Sequence, residues 1–493
     1  MADQQPPSLK TRTARSLKWN VIDRVSTQLL YAVTGIVLAR ELSQADFGLV
    51  GAILIFQAFA SLLVDSGFSY ALIQRKNPSR LDYSTVLWFN MAVSVIIYIL
   101  LFFAAPLIAD WFEGDTRLIP LSRVMFLTFI LNASAIVQTN RFMKAMNVRP
   151  VAVSNSVGLC LGAVTGIWMA VNGWGAWAIV WQSIVTAGAK SLLLWIISRW
   201  VPVLGFSWAS LRSFMSVGMG MMFTSFLNTV FLNLYSFVIG NRVGLVSLGY
   251  YTQSNKWSTM GVASLSQVLT STSLPVLSEA QDDPERFRLF VRKFNRITAY
   301  ILFPAMVGLA VVAMPLFHIL FGTKWDPSVP LFQLLLARGV FTVLTSLYTN
   351  YLLALGRSRL KVWMEVLRDG TALGALVATF PFLALTAPGN PVYGVSILLW
   401  GQLIASVVAY VGTRVVVSRV TGLSVAAFLA DCAPFFVISA VMGAVVVCLC
   451  AAIAAPWLSL LAGVGVGAVV YLASNAMLNS RIQQEAIAYI LKR

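Results

Sequence analysis

"SLKWNVIDRVSTQLLYAVTGIVLARELSQADFG", from Ser16 to Gly48, reads as the start of a membrane-crossing helix, yet Asp23 and Arg24 stand side by side near its beginning. A charged group at the centre of such a helix costs about 2.5–3.5 kcal/mol, so the pair raises the question of whether the run spans a membrane at all. The rest of the chain answers it. Of 493 residues, 58% are hydrophobic and only 11% charged, and the mean hydropathy of +0.80 lies far from the balance of a soluble globular protein. Runs of about 20 apolar residues separated by polar turns recur near 17–40, 46–72, 83–109, 118–141, 151–171, 174–198, 212–240, 247–275, 290–319, 329–355, 361–385, 393–416, 428–454 and 457–479. The expected fold is therefore an all-α polytopic membrane protein of about fourteen transmembrane helices.

The formal charge of +17 would suit nucleic acid if it were clustered, but it is distributed by topology. Lys10, Arg12, Arg15 and Lys18 precede the first run, Arg75, Lys76 and Arg80 follow the second, and Arg141, Lys144 and Arg149 follow the fourth. Arg286, Arg288, Arg292 and Lys293 follow the eighth, whereas the opposite turns carry only Arg40, Arg117, Arg242 and Lys324. Cations on every second connection mark the cytoplasmic side, with both termini there, so no nucleic-acid partner is expected. Arg40 and Glu41 replace the small residues that a signal cleavage site would need, so the first run stays as a helix.

Chemical motifs are sparse. The chain holds no GxxxxGK phosphate loop, HExxH or GxSxG, and no polar connection is long enough for a soluble catalytic domain. Cys160, Cys432, Cys448 and Cys450 fall in apolar segments and read as packing residues. His318 is the single histidine and reads as an interfacial residue, so neither a metal nor another cofactor is expected. Gly158, Gly162 and Gly166 recur every four residues, a small-residue stripe for close helix packing, and Pro304 interrupts an apolar helix.

Internal repetition organises the chain. A shift of 201 residues lays "VLARELSQADFG" (Val37 to Gly48) over "VIGNRVGLVSLG" (Val238 to Gly249); "AAPLIADWF" (Ala104 to Phe112) then matches "AMPLFHILF" (Ala313 to Phe321), and Thr139 and Asn140 match Thr349 and Asn350. Six helices lie between equivalent points, and an even number returns the chain to its starting side. The halves then share one orientation, as parallel repeats do. The expected domains are a cytoplasmic tail at 1–16, a six-helix bundle at 17–199, an interfacial linker at 200–211 and a second six-helix bundle at 212–418. A peripheral helix pair at 419–479 and a cytoplasmic tail at 480–493 complete them. Two such bundles would enclose a cavity opened alternately by rocking.

Several segments resemble one family. "LARELSQADFGLVGAI" (Leu38 to Ile53), "VDSGFSYALIQRKN" (Val64 to Asn77), "DYSTVLWFN" (Asp82 to Asn90), "LFFAAPLIADWF" (Leu101 to Phe112) and "SLGYYTQSNKW" (Ser247 to Trp257) are similar to the Wzx-type polysaccharide flippases, near the colanic-acid-exporter-like branch of the multidrug, oligosaccharidyl-lipid and polysaccharide exporter superfamily. The likeness is strongest up to about residue 145. It implies a transporter of the bacterial inner membrane, surrounded by membrane lipids, that moves an undecaprenyl-diphosphate-linked oligosaccharide from the cytoplasmic to the periplasmic leaflet; a monomer is expected because the two repeats already enclose a path. It also implies coupling to an ion (proton or sodium) or to the membrane potential. Lipid II flippases, distant relatives, carry a comparable basic and acidic pair early in the first helix.

Intramembrane charges are the candidate site, because they are expected to face a cavity or a partner. Arg24, Arg123, Lys256 and Arg338 are the candidate headgroup contacts: arginine's planar fork suits phosphate oxygens and lysine serves as a point charge. Pairing between helices or anchoring at an interface stands as the competing reading for each. Asp23, Asp65 and Asp369 are candidate ion-coupling or structural acids, and Glu365 and Arg368, three apart on one helix, are expected to pair. Asp23 and Arg24 point about 100° apart, which aims one at the path and leaves the other to a neighbouring helix. Tyr235, Tyr250, Tyr251, Trp257 and Tyr348 either stack on sugar rings or form interfacial belts. A multidrug or organic-cation antiporter of the same superfamily is the alternative; it would favour an acidic or aromatic pocket. A membrane polymerase or glycosyltransferase would need a long catalytic loop.

Overall fold

Apolar runs that cannot leave backbone groups unsatisfied in lipid become helices. The computed structural model describes residues 9–65, 68–385 and 387–491; among them the regular structure is helical, with one isolated bridge between Ala387 and Asn390. In chain order come α1 (Leu9–Glu41), α2 (Gln44–Asp65), α3 (Phe68–Gln74), α4 (Arg80–Trp111), α5 (Leu118–Met125), α6 (Leu127–Lys144), α7 (Arg149–Val171), α8 (Trp177–Ser198), α9 (Trp208–Arg242) and α10 (Leu245–Ser271). They are followed by α11 (Ser273–Glu279), α12 (Pro284–Val311), α13 (Ala313–Leu320), α14 (Ser328–Ala354), α15 (Ser358–Thr379), α16 (Tyr393–Thr421), α17 (Val425–Ala452), α18 (Pro456–Met477) and α19 (Arg481–Leu491). Local chemistry sets the ends. Ser79 and Asp82 form a capping box at α4, and Asp283 caps α12 with Pro284 in its first turn.

Among the described residues, eleven spans are long and apolar enough to cross a membrane, fewer than the expected fourteen. The difference has a physical content for two helices. α15 carries five charged residues, and α10 runs through Thr252, Gln253, Ser254, Asn255 and Lys256, so both are too polar to read as lipid-facing spans. Several expected helices are also divided, at Phe126, Thr272 and Val312. The expected tails differ as well: helix α1 already begins at Leu9, and α19 occupies much of 480–493.

The chain groups into two compact units, Met1–Gly249 and Tyr250–Arg493. This break lies beyond the expected linker at 200–211, because α9 packs on α2, α3 and α4 of the first unit. Residues 200–207 of the linker form an extended strap before α9. Arg80 Nε and Nη2 donate to the Val201 carbonyl at 3.1 and 2.7 Å, and Trp88 Nε1 donates to the Val203 carbonyl at 3.0 Å. In return the Val203 N–H donates to Ser84 Oγ at 2.9 Å and the Ser207 N–H to Thr85 Oγ1 at 3.1 Å. Polar side chains of α4 thus satisfy a backbone that has no ladder of its own.

Two glycine contacts show how closely the first unit packs. A Cβ on Gly162 of α7 would fall 2.0 Å from Thr186 Oγ1 of α8, and Gly158 and Gly166 face Lys190 and Gln182 in the same row, which is the close approach expected of the stripe. The glycines aligned by the repeat are used reciprocally. A Cβ on Gly48 would meet the Leu245 carbonyl at 1.8 Å, and one on Gly249 would meet the Gln44 carbonyl at 2.0 Å. Gly48 and Gly249, like Gln44 and Leu245, are 201 positions apart.

Candidate functional site

In the first unit, α1 places Asp23 toward α7, where Asn155 Nδ2 donates to both carboxylate oxygens at 3.4 Å. Lys190 of α8 lies within electrostatic reach of the same acid. Arg24, one residue on, is exposed. Arg123 on α5 is held from α4: its Nε donates to the Phe102 carbonyl at 3.2 Å and its guanidinium lies 4.2 Å from the Phe102 ring centre, a cation–π contact. Asp65 closes α2, and its side chain is outside the described residues. Among the described residues, no hydrogen bond or ion pair brings Asp23, Arg24 and Arg123 together.

The second unit gathers more polar chemistry. α10 and α14 are tied near both ends, by Ser254 Oγ donating to the Ser328 carbonyl at 2.8 Å and by Asn350 Nδ2 donating to the Thr270 carbonyl at 3.3 Å. Lys256 on α10 and Arg338 on α14 each lie about 15 Å from the helix start at 1.5 Å per residue. Both are half-buried. Lys256 Nζ sits 5.4 Å from the Trp257 ring centre, while Arg338 lies within electrostatic reach of Tyr251 and keeps a buried Nε with no hydrogen-bond partner. Among the described residues neither has a carboxylate partner.

Farther along α14, toward α15, a cavity of about 290 Å³ opens. Ser266 and Thr270 line it from α10, Thr342, Thr345, Ser346, Thr349 and Asn350 from α14, and Lys361, Met364, Glu365 and Arg368 from α15. The expected Glu365–Arg368 pair is not formed. Glu365 pairs with Lys361 at 3.5 Å, the i,i+4 geometry, and Arg368 Nε turns to its neighbour Asp369 at 2.8 Å. The geometry offers each a nearer partner, so the cavity's cations are largely neutralised.

The aromatic residues read as either sugar contacts or interfacial belts are mostly spent on packing. Tyr235, Tyr250, Tyr251 and Tyr348 are buried, Tyr250 stands edge-on to Trp325 at 5.9 Å, and Trp257 lies against Phe321 at 5.1 Å. Sequence reasoning missed Asp431 of α17. Its side chain is 1% exposed and accepts from Arg292 Nε and Nη2 at 3.0 Å and from Arg296 Nε at 2.7 Å, both on α12. The signal was present, an acid inside the apolar run "FLADCAPFF", with two arginines one turn apart on another helix. The row of hydroxyls on α14 was missed too, although Thr342, Thr345 and Thr349 share one helical face.

Eleven apolar spans with charged and hydroxyl side chains gathered inside helical units define a polytopic, all-helical membrane protein with a polar interior, the construction used by membrane transporters. Residues 37–330 match the polysaccharide biosynthesis protein family, and the chain belongs to it. It is 27% identical over 373 residues to the succinoglycan biosynthesis transport protein ExoT of Rhizobium meliloti (strain 1021), covering 75% of each chain. It is 26% identical over 373 residues to the lipopolysaccharide biosynthesis protein WzxC of Escherichia coli (strain K12), again covering 75% of each. The fold resembles the solved structure of the lipid II flippase MurJ in its inward closed conformation, with a TM-score of 0.72 at 15% identity over 94% of this chain and 98% of that one. That likeness is one of fold.

Proposed function

We propose that the protein is a flippase of polysaccharide biosynthesis. It carries an undecaprenyl-diphosphate-linked oligosaccharide from the cytoplasmic to the periplasmic leaflet of a bacterial inner membrane by alternating access, coupled to an ion gradient or to the membrane potential. The polypeptide works as a monomer with both termini cytoplasmic and makes no bonds in its substrate. Membership of the family and the names of its relatives support the pathway. The observation that carries the chemistry is the pair of interior cations, Lys256 and Arg338, without carboxylate partners among the described residues. A diphosphate cannot enter hydrocarbon without a polar route, and an arginine fork with a free buried Nε is suited to its oxygens. We assign Arg24 and Arg123 as further headgroup contacts, and Asp23, Asp65 and Asp369 as acids for coupling or helix positioning. Arg123 serves from its seat on Phe102.

The test is reconstitution into liposomes with a defined undecaprenyl-diphosphate glycan. Lys256→Ala and Arg338→Ala are expected to slow leaflet exchange by about tenfold or more, the loss of one charge-assisted hydrogen bond each. Exchange at the parent rate in both variants would remove these residues from the substrate path.

A further inference from the structure

The cavity between α10, α14 and α15 has an unusual balance of hydrogen-bonding capacity. Met364 is the one apolar side chain in its described lining. Four of its six hydroxyls, however, are already committed as donors. Thr270 Oγ1 donates to the Ser266 carbonyl at 2.7 Å and Thr342 Oγ1 to the Arg338 carbonyl at 3.1 Å; Ser346 Oγ donates to the Thr342 carbonyl and Thr349 Oγ1 to the Ser346 carbonyl, both at 2.9 Å. Asn350 likewise turns its amide N–H groups away, to the Thr270 carbonyl at 3.3 Å and Ser273 Oγ at 3.4 Å. A hydroxyl with its proton spent on the helix has only lone pairs left. On α14, Thr342, Ser346 and Thr349 therefore present acceptors to the cavity.

Charge points the same way. Lys361 is offset by Glu365 and Arg368 by Asp369, so the space lacks the net positive field that an isolated phosphate would require. A phosphate brings acceptors and would meet acceptors. A sugar ring brings hydroxyl hydrogens, together with oxygens that Lys361 and Arg368 can still reach. About 290 Å³ lies at the low end of small-ligand pockets, a size suited to a single ring.

We propose that this cavity is a saccharide subsite that holds a single neutral sugar ring through acceptors on Thr342, Ser346 and Thr349 and the hydroxyl of Thr345, while the diphosphate is held elsewhere. This deepens the flippase reading and rests on it. On the α14 face the two functions are adjacent: Arg338 lies one turn before Thr342, so the headgroup cation and the first sugar acceptor follow each other along one helix.

The test uses the full chain in nanodiscs and two sets of probes: bare undecaprenyl diphosphate, and undecaprenyl diphosphate carrying one glucose, galactose or N-acetylglucosamine. At least one glycosylated lipid should bind more tightly than the bare one. In the isosteric Thr345→Val/Thr349→Val variant that advantage should fall by about tenfold, two hydrogen bonds' worth, with binding of the bare lipid unchanged. Arg338→Ala should weaken both sets alike. The replaced hydroxyls make no bond to another helix, so folding should survive, and each single variant should show part of the same loss. A parent that binds bare and glycosylated lipids equally, or a double variant that keeps the full sugar advantage, overturns the subsite and leaves the flippase reading standing. A parent that binds no lipid diphosphate overturns both.

Discussion

Replacing Asp431 by alanine should separate α17 from α12 locally, and the structure sets the size of the effect. The carboxylate is 1% exposed and takes three hydrogen bonds from Arg292 and Arg296, whose side chains are 40% and 39% exposed. Breaking a buried pair by removing one partner costs about 3–5 kcal/mol. The half-exposed arginines can regain water, which argues for the lower end, near 3 kcal/mol. At 1.4 kcal/mol per decade that is about a hundredfold in the opening equilibrium. Cys432, adjacent and 8% exposed, supplies the assay. In protein whose other three cysteines, Cys160, Cys448 and Cys450, have been replaced by alanine, the rate at which a maleimide labels Cys432 reports the opening. Asp431→Ala should raise that rate by about a hundredfold, with Asp431→Asn between it and the parent. Labelling at the parental rate in Asp431→Ala would show that the clamp contributes nothing, and the argument from burial would be wrong.

Gly48→Ala should destabilise the protein by at least the ~1–3 kcal/mol of overpacking, since its Cβ would fall 1.8 Å from a carbonyl oxygen; an unchanged melting midpoint in detergent would mean that α2 and α10 do not meet there. Phe102→Leu should cost about 0.5–2 kcal/mol by removing the surface under Arg123, and a matching loss in Arg123→Leu without additivity in the double variant would confirm the pairing. A double-mutant cycle on Lys361 and Glu365 should give no more than about 0.5 kcal/mol, with Glu365 and Arg368 uncoupled; stronger coupling of Glu365 to Arg368 would restore the pairing expected from spacing alone. Lys256→Met and Arg338→Met should raise the melting midpoint while lowering lipid exchange, whereas a fall in the midpoint would reassign both cations to structural work.

Much of the architecture was legible because hydrocarbon imposes one rule on every span. The apolar runs became helices, the Gly158–Gly162–Gly166 row met α8 closely, and the Gly48 and Gly249 aligned by the repeat proved to face each other's helix ends. What could not be read was partnership. Glu365 had Arg368 within reach in sequence, but side-chain direction gave it Lys361. Asp431 went unnoticed because its partner Arg292 looked like ordinary cytoplasmic charge and Arg296 was not singled out, and only the packing of α12 against α17 joins them. The strap at 200–207 shows the same limit. Its backbone is satisfied by Arg80, Ser84, Thr85 and Trp88, more than a hundred residues away.

The contrast between these charges is itself an argument about function. Asp431 shows that this chain can neutralise a buried charge fully when the need is structural, with two arginines for one acid. Lys361 and Arg368 show the same economy with one acid each. Lys256 and Arg338 break the pattern inside the same unit. A half-buried cation within a membrane protein's helix that receives no acid makes a net unfavourable contribution to folding, so stability gives no reason for two of them. A ligand that brings its own negative charge does give one. In the proposed flippase, the polarity that makes α10 and α15 ill suited to lipid serves the passenger.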